Sequence, residues 1–104
     1  MNRVVRDGMV AVLYSPGYGA GWSTWVKPEI RQDVLFDPAI VDLVEQEKLE
    51  ELEVYVKLKY PDMFTGGLRD LQIEWIPQGT QFIVNDYDGN ESIQKRDSTD
   101  WYTA

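Results

Sequence analysis

Three glycines, Gly17, Gly19 and Gly21, fall at every second position of the segment Tyr14-Ser15-Pro16-Gly17-Tyr18-Gly19-Ala20-Gly21-Trp22-Ser23-Thr24-Trp25. Glycine lets main-chain N–H groups come close to a guest, while Tyr18, Trp22 and Trp25 offer flat faces for stacking. Nucleobases and riboses suit that chemistry. The spacing is not that of a dinucleotide fingerprint, and no Gly-Lys-Ser/Thr follows as in a P-loop. A packed loop whose tryptophans cap the core is the alternative, and one loop can do both, packing on one side and binding on the other.

Two further segments bear on the same guest. Thr65-Gly66-Gly67 permits a turn with amides suited to an anion or a carbonyl, or serves simply as a sharp corner. Asp86-Tyr87-Asp88-Gly89-Asn90-Glu91 looks like the opening of a calcium loop, but the remaining oxygen ligands are missing, and a hairpin turn through Asp-Gly is the better reading. The expected ligand-binding set is therefore Tyr14, Ser15, Gly17, Tyr18, Gly19, Gly21, Trp22, Ser23, Thr24, Trp25, Thr65, Gly66, Tyr87, Asp88 and Glu91.

Composition narrows the chemistry. The chain has 104 residues with no Cys and no His, which excludes the usual zinc sites, thiol nucleophiles, imidazole acid/base pairs and disulfides. Carboxylates at Glu74, Asp86, Asp88 and Glu91 could still converge across hairpins. A binder without cofactor, metal or catalysis is the expected reading. The net charge of -8 and pI near 4.3 repel phosphate backbones at long range, so direct nucleic-acid binding is not expected.

The acids concentrate at Glu45, Glu47, Glu50, Glu51 and Glu53, interrupted by Lys48. Such a run is ordinarily a solvated helix face, or else imitates the charge of a nucleic acid for a basic groove on another protein. No stretch approaches the roughly 18 to 20 apolar residues of a membrane span, and no apolar signal core follows Met1 to Gly8. A cytoplasmic protein is expected.

The elements that must position these residues follow from pattern. Val10 to Tyr14 reads as a buried strand, and the Gly-rich segment as a loop. Asp37-Pro38 is the best helix start, Asp capping free amides and Pro needing no donor; Ile40, Val41 and Val44 then share a face. A second stripe, Leu49, Leu52, Val56 and Tyr60, ends at Pro61, with a slight break at residues 46–48 where the stripes fall out of phase.

Leu71 to Ile76 and Phe82 to Val84 read as strands joined by the Pro77-Gln78-Gly79-Thr80 turn, and Ser92 to Gln94 permits a third. The expected fold is α+β: one small domain over 1–94 with an N-terminal strand, a Gly-rich loop, one or two helices and a C-terminal antiparallel β-meander. Residues 95–104 read as a polar tail. A chain this small gains from an added interface, so homo-oligomerisation is expected to suit it.

The string Tyr14 to Trp25, with Leu35-Phe36-Asp37-Pro38, Thr65-Gly66-Gly67, Ile73-Glu74-Trp75, Gly79-Thr80-x-Phe82 and Asp86-Tyr87-Asp88-Gly89-x-Glu91, resembles a family of small proteins carried by bacteriophages and prophages. The likeness runs from about Met9 to Ile93. It implies an accessory protein working in the host cell cytoplasm against host immunity. Sequestering a nucleotide-like signal is the leading expectation; an acidic inhibitor or DNA mimic that blocks a host nuclease or CRISPR effector is the other.

Overall fold

The computed structural model describes residues 3–17, 21–63 and 66–95. Asp7-Gly8, both at positive φ, turns strand β1 (Val5–Arg6) into β2 (Met9–Tyr14). Left-handed values at both central residues match the twist of a two-residue hairpin. Strand β2 is the middle strand of an antiparallel sheet in the order β1-β2-β3, where β3 is Gln72–Pro77. Its register runs from Met9 opposite Pro77 to Tyr14 opposite Gln72.

Successive side chains of a strand point to opposite faces, and β2 is apolar on both. Val10 and Val12 pack with Leu35, Phe36 and Ile76, whereas Ala11 and Leu13 pack with Trp22, Val34, Ile40, Val41, Leu52 and Val56. Burial on both faces explains the unbroken apolar run of this strand.

Three helices supply Val34, Ile40, Val41, Leu52 and Val56 of the second cluster. Helix α1 (Pro28–Phe36) places Pro28 at its first turn, where no N–H donor is needed, and buries Val34, Leu35 and Phe36. Helix α2 (Pro38–Glu45) starts at Asp37 as expected, whose carboxylate accepts from Ala39 N at 2.9 Å and Ile40 N at 3.4 Å. Helix α3 (Leu49–Lys59) follows a break at which Glu47 takes φ 57°. The same Asp37 carboxylate also accepts from Tyr55 Oη (2.9 Å), Tyr60 Oη (2.8 Å) and Lys59 Nζ (3.0 Å), so one buried acid ties the α1–α2 junction to the end of α3.

The chain is thus a small α+β domain with three helices and five strands among the described residues, and its strand pairing corrects one expectation. Leu71 to Ile76 and Phe82 to Val84 were expected to be neighbours in a meander. Instead β3 pairs with β2, while β4 (Phe82–Tyr87) and β5 (Asn90–Lys95) form a separate two-stranded sheet. The turn at Pro77 to Thr80 is closed by Thr80 N donating to Pro77 O at 3.0 Å, with positive φ at Gly79 and not at Gln78. That is type II geometry, which splays the flanking strands instead of pairing them.

The hairpin β4–β5 turns through Asp88-Gly89, both at positive φ, as the Asp-Gly reading expected. Lys95 belongs to β5 and not to a tail; the tail expected beyond it lies outside the described residues. Helix α1 was missed. Pro28, Glu29 in the first turn, and Ile30 with Val34 at a step of four were the signals for it. Among the described residues no helix is long and apolar enough to cross a membrane.

Candidate functional site

Glu91, near the start of β5, is 1% exposed and has no ion-pair partner among the described residues. Its carboxylate is satisfied by the Gly-rich segment. Oε1 accepts from Ser15 N at 3.0 Å; Oε2 accepts from Trp22 N at 2.9 Å, Thr24 N at 3.0 Å and the Thr24 hydroxyl at 2.6 Å. Glu91 N in turn donates to Ser15 O at 2.8 Å. One acid from the second sheet thereby folds the loop around itself.

For the described residues on either side of positions 18–20, this corrects the picture of a loop with bare amides. The main-chain donors of Ser15, Trp22 and Thr24 are engaged, and the Trp22 indole is fully buried with Nε1 donating to Val34 O at 2.7 Å. Trp22, Ser15 and Glu91 are framework. Glycine serves close packing here: a Cβ on Gly21 would strike the Trp25 ring, and one on Gly67 would strike Gly21 O and the Ser15 hydroxyl, which itself donates to Gly67 O at 3.0 Å. Gly67→Ala is accordingly expected to lower stability by about 1–3 kcal/mol, since a backbone oxygen cannot rotate away. Thermal denaturation checks this; an unchanged midpoint would show room that the packing does not display.

Other expected residues separate. Trp25 is 42% exposed and donates from Nε1 to Asp86 Oδ2 at 2.6 Å. Tyr14 lies half-buried with its hydroxyl 3.3 Å from Gln72 Oε1, and Gly17 packs against Asp70. Tyr87 and Asp88 stand exposed at the tip of the hairpin, and Gly66 lies on the surface beside Arg69. Tyr18, Gly19 and Thr65 lie outside the described residues. Asp86 is spent on Trp25 and on Gly89 N, and no group of three acids among the described residues could hold a metal ion.

What the Glu91 clamp does is present Ser23 and Thr24 at the edge of a cleft of about 720 Å³. Helix α1 forms one wall with Arg31, Gln32, Leu35 and Phe36; Thr80 to Val84 form the other, and Arg3 closes one end. Phe36 and Phe82 meet edge to face at 6.2 Å, and the Arg3 guanidinium lies 4.1 Å from the centre of the Phe36 ring. Ser23 and Thr24 were anticipated from sequence; Arg3, Arg31, Phe36 and Phe82 were not.

The charge of this cleft opposes that of the molecule. No Asp or Glu lines it among the described residues, although the chain carries 18 acids. Arg6 and Arg69 are ion-paired with Glu45 and Glu53, whereas Arg3 and Arg31 form no ion pair with a described carboxylate. Arg31 is held instead by neutral oxygens, Nε donating to Ser23 O at 3.1 Å and Nη2 to Val26 O at 3.3 Å. Two guanidinium groups without an ion-pair partner among the described residues thus sit beside aromatic edges and hydroxyls.

The acidic run is different in kind. Glu45 takes a two-pronged contact from Arg6 at 2.7 and 2.8 Å, Glu53 faces Arg69 at 3.4 Å, and Glu51 lies 3.9 Å from Lys48. Much of its charge is answered within the chain. Comparison with family models, with curated proteins and with solved structures finds no match.

Proposed function

We propose that this chain is a phage-carried accessory protein of the host cell cytoplasm that captures a small nucleotide-like signal of host immunity and holds it without chemical change. The supporting observation is the cleft beside α1, which among the described residues has no acid in its lining and no carboxylate paired with Arg3 or Arg31, and which holds the Phe36 and Phe82 rings. Guanidinium groups bind phosphate oxygens by paired N–H donors, and the aromatic edges accept a base. Cleft size suits a nucleotide, since small-molecule pockets run from about 300 to 1,000 Å³. The described residues offer no histidine, cysteine or metal-holding acid cluster to turn the guest over.

The test is calorimetric titration of the purified chain with cyclic oligonucleotides, ADP-ribose derivatives and simple nucleotides, followed by release of the bound species by denaturation. A dissociation constant in the micromolar range or tighter and recovery of the ligand unaltered are expected. No heat across the panel overturns the reading, and recovery of a cleaved product overturns the absence of catalysis.

A further inference from the structure

The two arginines of the cleft are pinned at different places. Arg31 is anchored by carbonyls of Ser23 and Val26, which precede α1; Arg3 lies over Phe36, the last residue of that nine-residue helix. At 1.5 Å of rise per residue the two anchors are on the order of 10 Å apart along the helix. Between them the wall carries Gln32 and then the apolar Leu35 and Phe36, which pack with Phe82 and Val84.

Each guanidinium keeps donors for a guest. Arg31 spends two of its N–H groups on carbonyls and has others left, and Arg3, whose guanidinium carbon lies 4.1 Å from the centre of the Phe36 ring, donates no hydrogen bond to a described residue. Both are positioned before any ligand arrives, which lowers the ordering cost of binding.

Building on the nucleotide-binding reading above, we infer that the cleft selects a ligand with two separated anionic groups, a nucleoside carrying phosphates on both sides of its ribose. A terminal diphosphate fits less well, because its two phosphoryl groups share a bridging oxygen and sit too close together to reach both arginines. The base lies against the Phe82 edge, and the Thr24 and Thr80 oxygens serve the sugar.

Adenosine 3′,5′-bisphosphate, ADP and AMP are titrated into the wild-type chain, Arg3→Ala and Arg31→Gln, with circular dichroism checking each fold. The bisphosphate is expected to bind roughly tenfold or more tighter than either other nucleotide, and each substitution to remove that advantage. AMP is expected to respond to one substitution and not to both. Arg3→Ala changes an exposed side chain and keeps the comparison valid should Arg31→Gln loosen the Ser23 and Val26 carbonyls. ADP binding as tightly as the bisphosphate, or Arg3→Ala leaving bisphosphate affinity unchanged, overturns the two-anion inference alone. Failure of all three nucleotides to bind overturns it together with the nucleotide-binding reading.

Discussion

Glu91→Ala is expected to cost about 4 kcal/mol, the largest loss from any single side chain outside the central apolar cluster. The substitution strips acceptors from the amides of Ser15, Trp22 and Thr24 and from the Thr24 hydroxyl. Each buried donor left without a partner costs about 1–3 kcal/mol, and water entering the vacated space recovers only part of it. A domain of this size is stable by about 5–15 kcal/mol in all, so the variant would be substantially unfolded near the lower end of that range.

Glu91→Gln separates charge from shape. Its amide oxygen can take the place of Oε2, which serves three donors, but the NH2 group then faces Ser15 N–H, donor against donor. A loss of about 2 kcal/mol is expected, equivalent to roughly 10 °C in Tm. Urea unfolding of both variants measures this. A Glu91→Gln midpoint equal to that of the wild type would mean the loop is held by something other than this carboxylate. Any loss of ligand affinity in a folded Glu91→Gln protein comes through Ser23 and Thr24, since Glu91 does not itself line the cleft.

The second large effect is at Asp37. Asp37→Ala removes the cap of α2 and leaves the Tyr60 hydroxyl, in a buried residue, without its acceptor, for an expected loss of about 3 kcal/mol. Burial pushes the Asp37 carboxyl up, but hydrogen bonds from Tyr60, Lys59 and Tyr55 outweigh it and hold the group below its ordinary value of 3.8. A carboxylate held low in the folded state adds stability that is present above the unfolded value and is lost as pH falls through the folded one. The urea midpoint is thus expected to drop below about pH 4.

At the other end, Tyr60 is raised above 10.0, by burial first and then by its bond to Asp37; its contribution is present below that value and lost as pH rises past it. Asp37→Asn keeps a capping oxygen but no charge, and should flatten the acid limb while sparing part of the stability. An acid limb of equal slope in Asp37→Asn would assign acid sensitivity to other carboxylates.

Local patterns were legible wherever the chemistry was local. Asp37-Pro38 announced a helix because a short carboxylate reaches its own N2 and N3 amides whatever the surroundings, and the carboxylate was found on Ala39 and Ile40. Asp88-Gly89 announced a hairpin for the same reason, the left-handed backbone being a property of those two residues. Val10 to Tyr14 was readable as a buried strand from its apolar run.

Partnership was not legible. Alternation in Leu71 to Ile76 marks a strand but does not name its neighbour, and β2, far away in sequence, took the place expected for β4. The Gly-rich segment and Glu91 were both picked out as binding residues, yet side-chain type cannot tell a carboxylate that awaits a guest from one already enclosed by three amides of the same chain. The cleft depended wholly on that step: Arg3, Arg31 and Phe82 lie far apart along the chain and line one cleft only once β4–β5 docks against α1. The amino-acid sequence alone determined the caps, turns and net charge, which act over a few bonds or over the whole molecule. Tertiary structure decided which acids are neutralised and which arginines find no carboxylate among the described residues, because ion pairing is settled by distances that only long-range packing sets.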